Sequence, residues 1–396
     1  VKILGIESSC DETAAAVVED GKRLLSNVVN SQIDIHAEYG GVIPEIAARS
    51  HIEVIGPVVS AALEQAQCTW DDIDAIAVTY APGLVGSLLI GTLAARTLAI
   101  VHEKPLYAIH HVEAHVYANF IISQRDTIET SPTSSQVRLR AANQDDSRAA
   151  DALLNKPARL DLPSKQPEFP MLALIVSGGH SQLVLFRDHG DYILLGQTQD
   201  DAVGEAFDKV AKILGLPYPG GPSITKAALE GGAQKYRFPK ARLANPYDFS
   251  FSGLKTAVLR AVQAEVGKDY TFPSHALAEL LTASQRNDFA ASFQNTAVQT
   301  LVETTERALR DHGARSVVIA GGVAANQELR RQLSERLPLT VEYAPMQLCT
   351  DNAAMIAALG YYYAQTVTPA DPYALEVVPS ISMTKTAWAG KDLADV

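Results

Sequence analysis

The chain carries one short design twice. Lys2-Ile3-Leu4-Gly5-Ile6-Glu7 is a β run, Ser8-Ser9-Cys10-Asp11-Glu12-Thr13 is a polar stretch, and Ala14-Ala15-Ala16-Val17-Val18 is a second β run. That order predicts a hairpin with a polar tip. Further on, Leu172-Ala173-Leu174-Ile175-Val176 leads into Ser177-Gly178-Gly179-His180-Ser181 and returns as Gln182-Leu183-Val184-Leu185-Phe186. A third strand, Ser316-Val317-Val318-Ile319-Ala320, ends in Gly321-Gly322-Val323-Ala324-Ala325-Asn326 and runs into a helical pattern. Glycine-rich strand ends bring backbone N–H groups close to a phosphate, and a following helix N-terminus favours anions. Apolar residues recur at helical spacing over 43–65, 87–102, 293–313 and 352–365. Strands alternating with helices, and one hairpin in each half, predict a duplicated α/β protein with two lobes around a central cleft.

The expected divisions are a first lobe at 1–120, an insertion at 121–168 and a second lobe at 169–350. A helix at 351–366 then crosses back towards the first lobe, and a loosely packed tail fills 367–396. The insertion is rich in Ser, Asp, Gln, Asn, Arg and Pro and has no hydrophobic period, which predicts a solvated, mobile segment. Elsewhere 47% hydrophobic residues are enough for a packed core. No linear apolar run reaches the roughly 20 residues a bilayer needs, so no membrane is expected as a partner. Cys10, Cys68 and Cys349 are odd in number and far apart, which suits a reducing compartment rather than a disulfide framework. No leader-like segment opens the sequence, so the expected location is the cytoplasm, with an organellar matrix or stroma as the alternative. A net charge of −12 means that nucleic acid would have to be attracted by a local basic patch or a partner.

His111 and His115 are four residues apart in Ile109-His110-His111-Val112-Glu113-Ala114-His115. On a helix they are neighbours and could share one ion, or they could be two histidines on a plain helix face. A zinc-protease reading fails on position. Its glutamate directly follows the first histidine, whereas Glu113 is two residues on, about 200° around the helix. Asp351, just before a helical pattern, is either a third ligand or an N-cap. Two histidines and a carboxylate would make a hard, open site for Fe²⁺, Zn²⁺ or a similar ion.

Taken in order, several segments closely resemble one family. They are Ile6-Glu7-Ser8-Ser9-Cys10-Asp11-Glu12-Thr13, His111-Val112-Glu113-Ala114-His115, Val176-Ser177-Gly178-Gly179-His180, Gly204-Glu205-Ala206-Phe207-Asp208-Lys209, Tyr218-Pro219-Gly220-Gly221-Pro222, Phe249-Ser250-Phe251-Ser252-Gly253-Leu254-Lys255-Thr256, Gly321-Gly322-Val323-Ala324-Ala325-Asn326 and Cys349-Thr350-Asp351-Asn352. The series is similar to the TsaD (Gcp) family of tRNA threonylcarbamoyltransferases, in its bacterial or organellar form. The resemblance covers 1–120 and 169–366.

It implies an actin/Hsp70/sugar-kinase type fold. It also implies transfer of the threonylcarbamoyl group of threonylcarbamoyl-AMP to N6 of adenosine 37, in tRNAs reading codons that start with A. By the same resemblance His111, His115 and Asp351 hold one divalent ion, Fe²⁺ first and Zn²⁺ as the alternative; with the histidines early in the chain and Asp351 late, that ion is expected to bridge the lobes across the cleft. Val176, Ser177, Gly178, Gly179, His180, Asp208, Gly221 and Asn326 hold the adenylate. Asp11 and Glu12 are the candidates for orienting the amine or taking its proton. A TsaB-type paralogue and a TsaE-type ATPase are the implied partners, with tRNA contacts expected at Lys235, Arg237, Lys240 and Arg242, interleaved with Tyr236 and Phe238. The family usually has a short connection where 121–168 stands. A small-molecule kinase of this fold is the main rival, but paired helical histidines are not what a Mg²⁺–ATP site needs. Intact candidate ligands argue against a non-catalytic scaffold.

Overall fold

The structure, a computed structural model, describes residues 1–123, 160 and 162–385. The expected insertion therefore lies mostly outside the described residues. Two compact units divide the chain. One comprises Val1–Pro167, His189–Asp191 and Tyr343–Val396; the other comprises Glu168–Asp188 and Tyr192–Glu342.

In the first unit β1 (Lys2–Glu7) pairs antiparallel with β2 (Glu12–Glu19), with Glu7 opposite Ala14. β2 continues antiparallel to β3 (Arg23–Ser31), while β1 runs parallel to β4 (Ala75–Ala81) and β4 to β5 (Leu106–His110). The sheet order is β3-β2-β1-β4-β5. In the second unit β6 (Met171–Val176) forms the second hairpin with β7 (Ser181–Asp188), followed by β8 (Asp191–Gln197). β9 (Ser316–Ala320) runs parallel to β6, and β10 (Val341–Tyr343) completes the order β10-β9-β6-β7-β8. Read from its other edge, this order matches that of the first sheet strand for strand, which is the duplication expected from the hairpins.

Side chains alternate across β1. Leu4 and Ile6 join Val17, Ile76 and Val78 in the core with Val54, Val58 and Ala62 of α2 (Pro44–Gln65), which follows the short α1 (Ile33–Ala37), and Ala95 of α3 (Val85–Val101). The opposite face, carrying Ile3 and Gly5, lies under the late helix Ala353–Thr366. A Cβ on Gly5 would stand 2.3 Å from Ala353 O, and one on Gly360 would stand 2.6 Å from Ala77 Cβ. Glycines and alanines in Ala353-Ala354-Met355-Ile356-Ala357-Ala358-Leu359-Gly360 permit this approach.

Three expectations need correction. First, α2 is 22 residues long with a mean hydropathy of 1.2 in its most apolar window, so by length and composition it could cross a membrane. Glu45, Arg49 and Glu53 break the run when it is read linearly, but the helix collects its apolar residues on one buried face, as a core helix does. Second, the tail expected to pack loosely over 367–396 does not do so at 367–385, and 386–396 lie outside the described residues. The Arg96 guanidinium donates to the carbonyls of Pro372, Tyr373 and Leu375 at 2.5, 2.8 and 3.2 Å, and Val378 N–H to Tyr80 O at 2.9 Å. Met383 is buried. Main-chain bonding of this kind has no sequence period. Third, the helix expected at 293–313 spans Ala283–His312. A Thr282/Gln285 capping box starts it, followed by polar turns.

Gly5→Ala is expected to destabilise the protein by about 1–3 kcal/mol through overpacking. Chemical denaturation would read this as a lower midpoint; an unchanged midpoint would mean that the helix yields freely.

Candidate active site

α4 (His111–Tyr117) begins directly after β5. His110 caps it: its Nδ1 accepts from Glu113 N–H at 3.4 Å, and its Nε2 lies 3.1 Å from Ile381 O. The helix carries His111 and His115 on one face, with ring centroids 4.7 Å apart. Glu113 points elsewhere. It is buried and accepts from the Tyr363 hydroxyl at 3.2 Å, in line with the helix geometry that removed it as a protease base.

Asp351 lies just before the helix Ala353–Thr366, but it is not that helix's cap. Asn352 takes the role, accepting from Met355 N–H at 3.2 Å and donating to Thr350 O and Leu348 O. The carboxylate of Asp351 is thereby turned towards the histidines. Its Oδ1 lies 3.4 Å from His111 Nε2 and 3.3 Å from His115 Nε2. All three residues belong to the first unit, so the expectation of an ion bridging two lobes is corrected: Asp351 comes late in sequence but returns with its helix to the first sheet.

The three donor atoms fit a metal. They lie within 4.8 Å of one another. A four-coordinate ion with bonds of about 2.1 Å separates its ligand atoms by roughly 3.4 Å. His115 is 1% exposed, and neither ring nitrogen makes a hydrogen bond, although Nε2 is near Asp351. An orphaned buried imidazole is what a missing ligand bond leaves. Charge agrees with this. Burial works against protonating His111, yet Asp351 on one side and Glu7 on the other raise its pKa well above the ordinary value. Burial and the nearby His111 lower that of His115. Burial also opposes ionisation of Asp351, but the two imidazoles hold its carboxyl far below the usual range.

Glu7, at the end of β1, was not singled out in the sequence. It is fully buried and touches Ser9 N, Thr79 Oγ1 and His111 Nδ1. A glutamate ending an apolar β run was the only available signal; its partner is 104 residues away.

The tip of the first hairpin holds Asp11 and Glu12. Glu12 accepts from the Ser31 hydroxyl at 3.1 Å. Burial, with the charges of Asp11 and Asp351, raises its carboxyl well above the ordinary range. His51 of α2 brackets the pair: Nδ1 faces Thr13 Oγ1 at 2.7 Å and Nε2 faces Cys10 O at 3.0 Å.

In the second unit the Ser177-Gly178-Gly179-His180 tip follows Val176 and closes with Ser177 N–H bonded to His180 O. Its carbonyls accept from Gly204 and Glu205 at the start of α5 (Val203–Leu214). A Cβ on Gly178, Gly179 or Gly221 would meet nothing within 4 Å, so these backbones are open. Gly221 belongs to α6 (Gly220–Ala228), and Gly220 N–H donates to Asp208 at 2.7 Å. Burial raises the Asp208 carboxyl.

Asn326 is already committed. Its oxygen caps α9 (Gln327–Arg336), following α7 (Ser252–Glu265) and α8 (Ala283–His312), and its amide donates to Thr225 Oγ1 and Gln294 Oε1. Among the expected tRNA contacts, Lys235, Arg237 and Arg242 are exposed, while Lys240 pairs with Glu303 at 2.7 Å. Tyr236 stacks on Phe289 at 3.9 Å, so one ring face is occupied.

The profile of the TsaD family, described as tRNA N6-adenosine threonylcarbamoyltransferase, matches residues 23–135 and 152–358. The chain belongs to the TsaD family. Proteins of that description from Thermomicrobium roseum and Symbiobacterium thermophilum are 49% and 47% identical to it, over 93% and 91% of each chain. One from Dehalococcoides mccartyi is 45% identical, over 97% of this chain and all of its own. The chain is thus a transferase of tRNA modification, with the duplicated actin/Hsp70/sugar-kinase type of fold. The HypF protein of T. kodakarensis has a similar fold, with a TM-score of 0.51 at 13% identity over 92% of this chain and 48% of HypF.

If the TsaD centre holds a metal, replacing His111 or His115 with Ala lowers metal content from about one ion per chain to near zero. Elemental analysis of purified protein measures this, and undiminished content in both variants would remove the assignment.

Proposed function

We propose that the chain moves the threonylcarbamoyl group of threonylcarbamoyl-AMP to N6 of adenosine 37 in tRNAs reading codons that start with A. The observation that carries the reading is the buried His111–His115–Asp351 constellation, with its orphaned imidazole, in a chain of the TsaD family. In the reaction N6 attacks the carbamoyl carbon. A C–N bond forms, the C–O bond to AMP breaks, AMP leaves, and the amine loses a proton.

A divalent ion held by His111, His115 and Asp351, Fe²⁺ first and Zn²⁺ as the alternative, would supply Lewis acidity and a template. Adenosine's amine is a poor nucleophile, so positioning supplies much of the rate. Asp11 and Glu12 orient the amine and take its proton; a carboxyl raised above the ordinary range by burial, as at Glu12, is the stronger base for that step. Val176, Ser177, Gly178, Gly179, His180 and Gly221 are the proposed nucleotide contacts, and at Gly178, Gly179 and Gly221 no Cβ intervenes between backbone and ligand. Asp208 accepts from ribose hydroxyls. Asn326 contributes by exchanging Thr225 or Gln294 for the nucleotide.

The proposed partners are tRNA, a TsaB-type paralogue and a TsaE-type ATPase, in the cytoplasm or an organellar matrix or stroma. Lys235, Arg237, Lys240 and Arg242 remain the proposed local attraction for tRNA on a chain of net charge −12. An apolar stripe supports a protein partner. Val85, Leu89, Leu93 and Ile100 share one face of α3 and are 54%, 42%, 43% and 37% exposed.

Two experiments test these readings. Mass spectrometry of tRNA nucleosides is run after incubation with threonine, bicarbonate, ATP, the adenylate-forming enzyme, the partners and this protein. Threonylcarbamoyladenosine is expected, and its absence sinks the proposal. Replacing both Leu89 and Leu93 with Asp should abolish co-elution with the paralogue in size exclusion while leaving metal content intact; retained co-elution moves the partner to another face.

A further inference from the structure

We propose that Glu7 is the positioning residue that makes His111 a metal ligand, by holding the proton on Nδ1 and leaving Nε2 bare. The inference rests on the metal reading of the centre. It assigns a role to a residue that is not one of the three donors.

Glu7 is 0% exposed, and its carboxylate is saturated with donors. Oε1 accepts from Ser9 N–H at 2.5 Å; Oε2 accepts from the Thr79 hydroxyl at 2.5 Å and lies 3.0 Å from His111 Nδ1. An ionised carboxylate only accepts, so the Nδ1 beside it must donate. A metal-bound imidazole carries one proton, and with that proton held at Nδ1 beside Glu7 the lone pair offered to an ion is the one on Nε2. That nitrogen is the one 3.4 Å from Asp351 Oδ1, on the side of His115 Nε2. The same contact fixes the ring's rotation, because Ser9 Oγ also stands 3.2 Å from Nδ1.

The arrangement is a carboxylate–histidine–metal relay, in which the outer acid sets tautomer, orientation and ligand basicity. It also sets the charge. Glu7 and Asp351 together contribute two negative charges, which match a divalent cation. A purely structural glutamate tying β1 to Thr79 on β4 would do as well as an amide of the same shape. A buried carboxylate carries a desolvation penalty of several kcal/mol that a neutral Gln avoids.

Glu7→Gln separates the two roles. Its amide oxygen can keep the Ser9 bond, while its NH₂ faces Thr79 and His111 Nδ1. Donation to Nδ1 forces the imidazole proton onto Nε2, the atom that should ligate. Calorimetric titration of metal-stripped protein with Zn²⁺ is expected to give a dissociation constant about 10–100-fold weaker than wild type.

A second measurement needs no variant. Nitrogen-15 NMR of histidine-labelled, Zn²⁺-loaded wild type should find the His111 proton on Nδ1. Equal Zn²⁺ affinity in a folded Glu7→Gln protein, or a proton on Nε2 in the wild type, overturns the proposal and leaves the metal reading standing. Wild-type protein that binds no Zn²⁺, Fe²⁺ or Co²⁺ overturns both. If Glu7→Gln does not fold, the wild-type proton position decides alone.

Discussion

The backbone of Gly5 lies so close to the helix Ala353–Thr366 that no side chain fits between them. The candidate centre depends on this contact. It fixes where the helix starts, and so where Asn352 caps it and which way Asp351 turns. Two residues along β1, on the same side of the strand, comes Glu7. From β5, two strands across the sheet, α4 delivers His111 and His115. A seam of glycine and alanine thus brings the N-terminal strand, a mid-chain helix and a late turn to one place. Gly360 against Ala77 extends the seam to β4.

That frame holds chemistry that works against stability. Glu7, Glu113, His111 and His115 are buried, and Asp351 is largely so. Each buried charge carries a desolvation penalty that its partners only partly offset. Burial and close charges together settle which protonation states win: the carboxylates overcome the burial of His111, while burial, with the neighbouring imidazole, drives His115 towards neutrality. The tight apolar packing of β1, α2 and α3 beneath them gives the centre little freedom to relax.

Much of the fold was legible, for a physical reason. Period-2 and period-3.6 patterns record which faces are buried, so both hairpins and the helices at 44–65 and 85–101 stand close to where periodicity puts them. Features without a period were lost. The polar first turns of Ala283–His312 look like loop until the Thr282 cap is seen. The 367–385 segment is held by carbonyls and one arginine, which leave no mark in side-chain spacing. The i, i+4 spacing of His111 and His115 and the displacement of Glu113 could be read locally, because a helix fixes both. Whether Asp351 was cap or ligand could not, since that turned on its neighbour Asn352.

The sequence by itself determined the duplicated α/β topology, the family and the short list of chemical residues. These follow from local patterns and motif order. Only tertiary structure decided that the candidate ligands sit in one unit, that Glu7 touches His111 and that His51 brackets the acidic tip. It also decided that the Asn326 amide is spoken for within the protein. Such contacts join residues tens to hundreds of positions apart. Their geometry is set by how closely strands and helices can approach, which depends on packing the whole unit and on no local stretch of it.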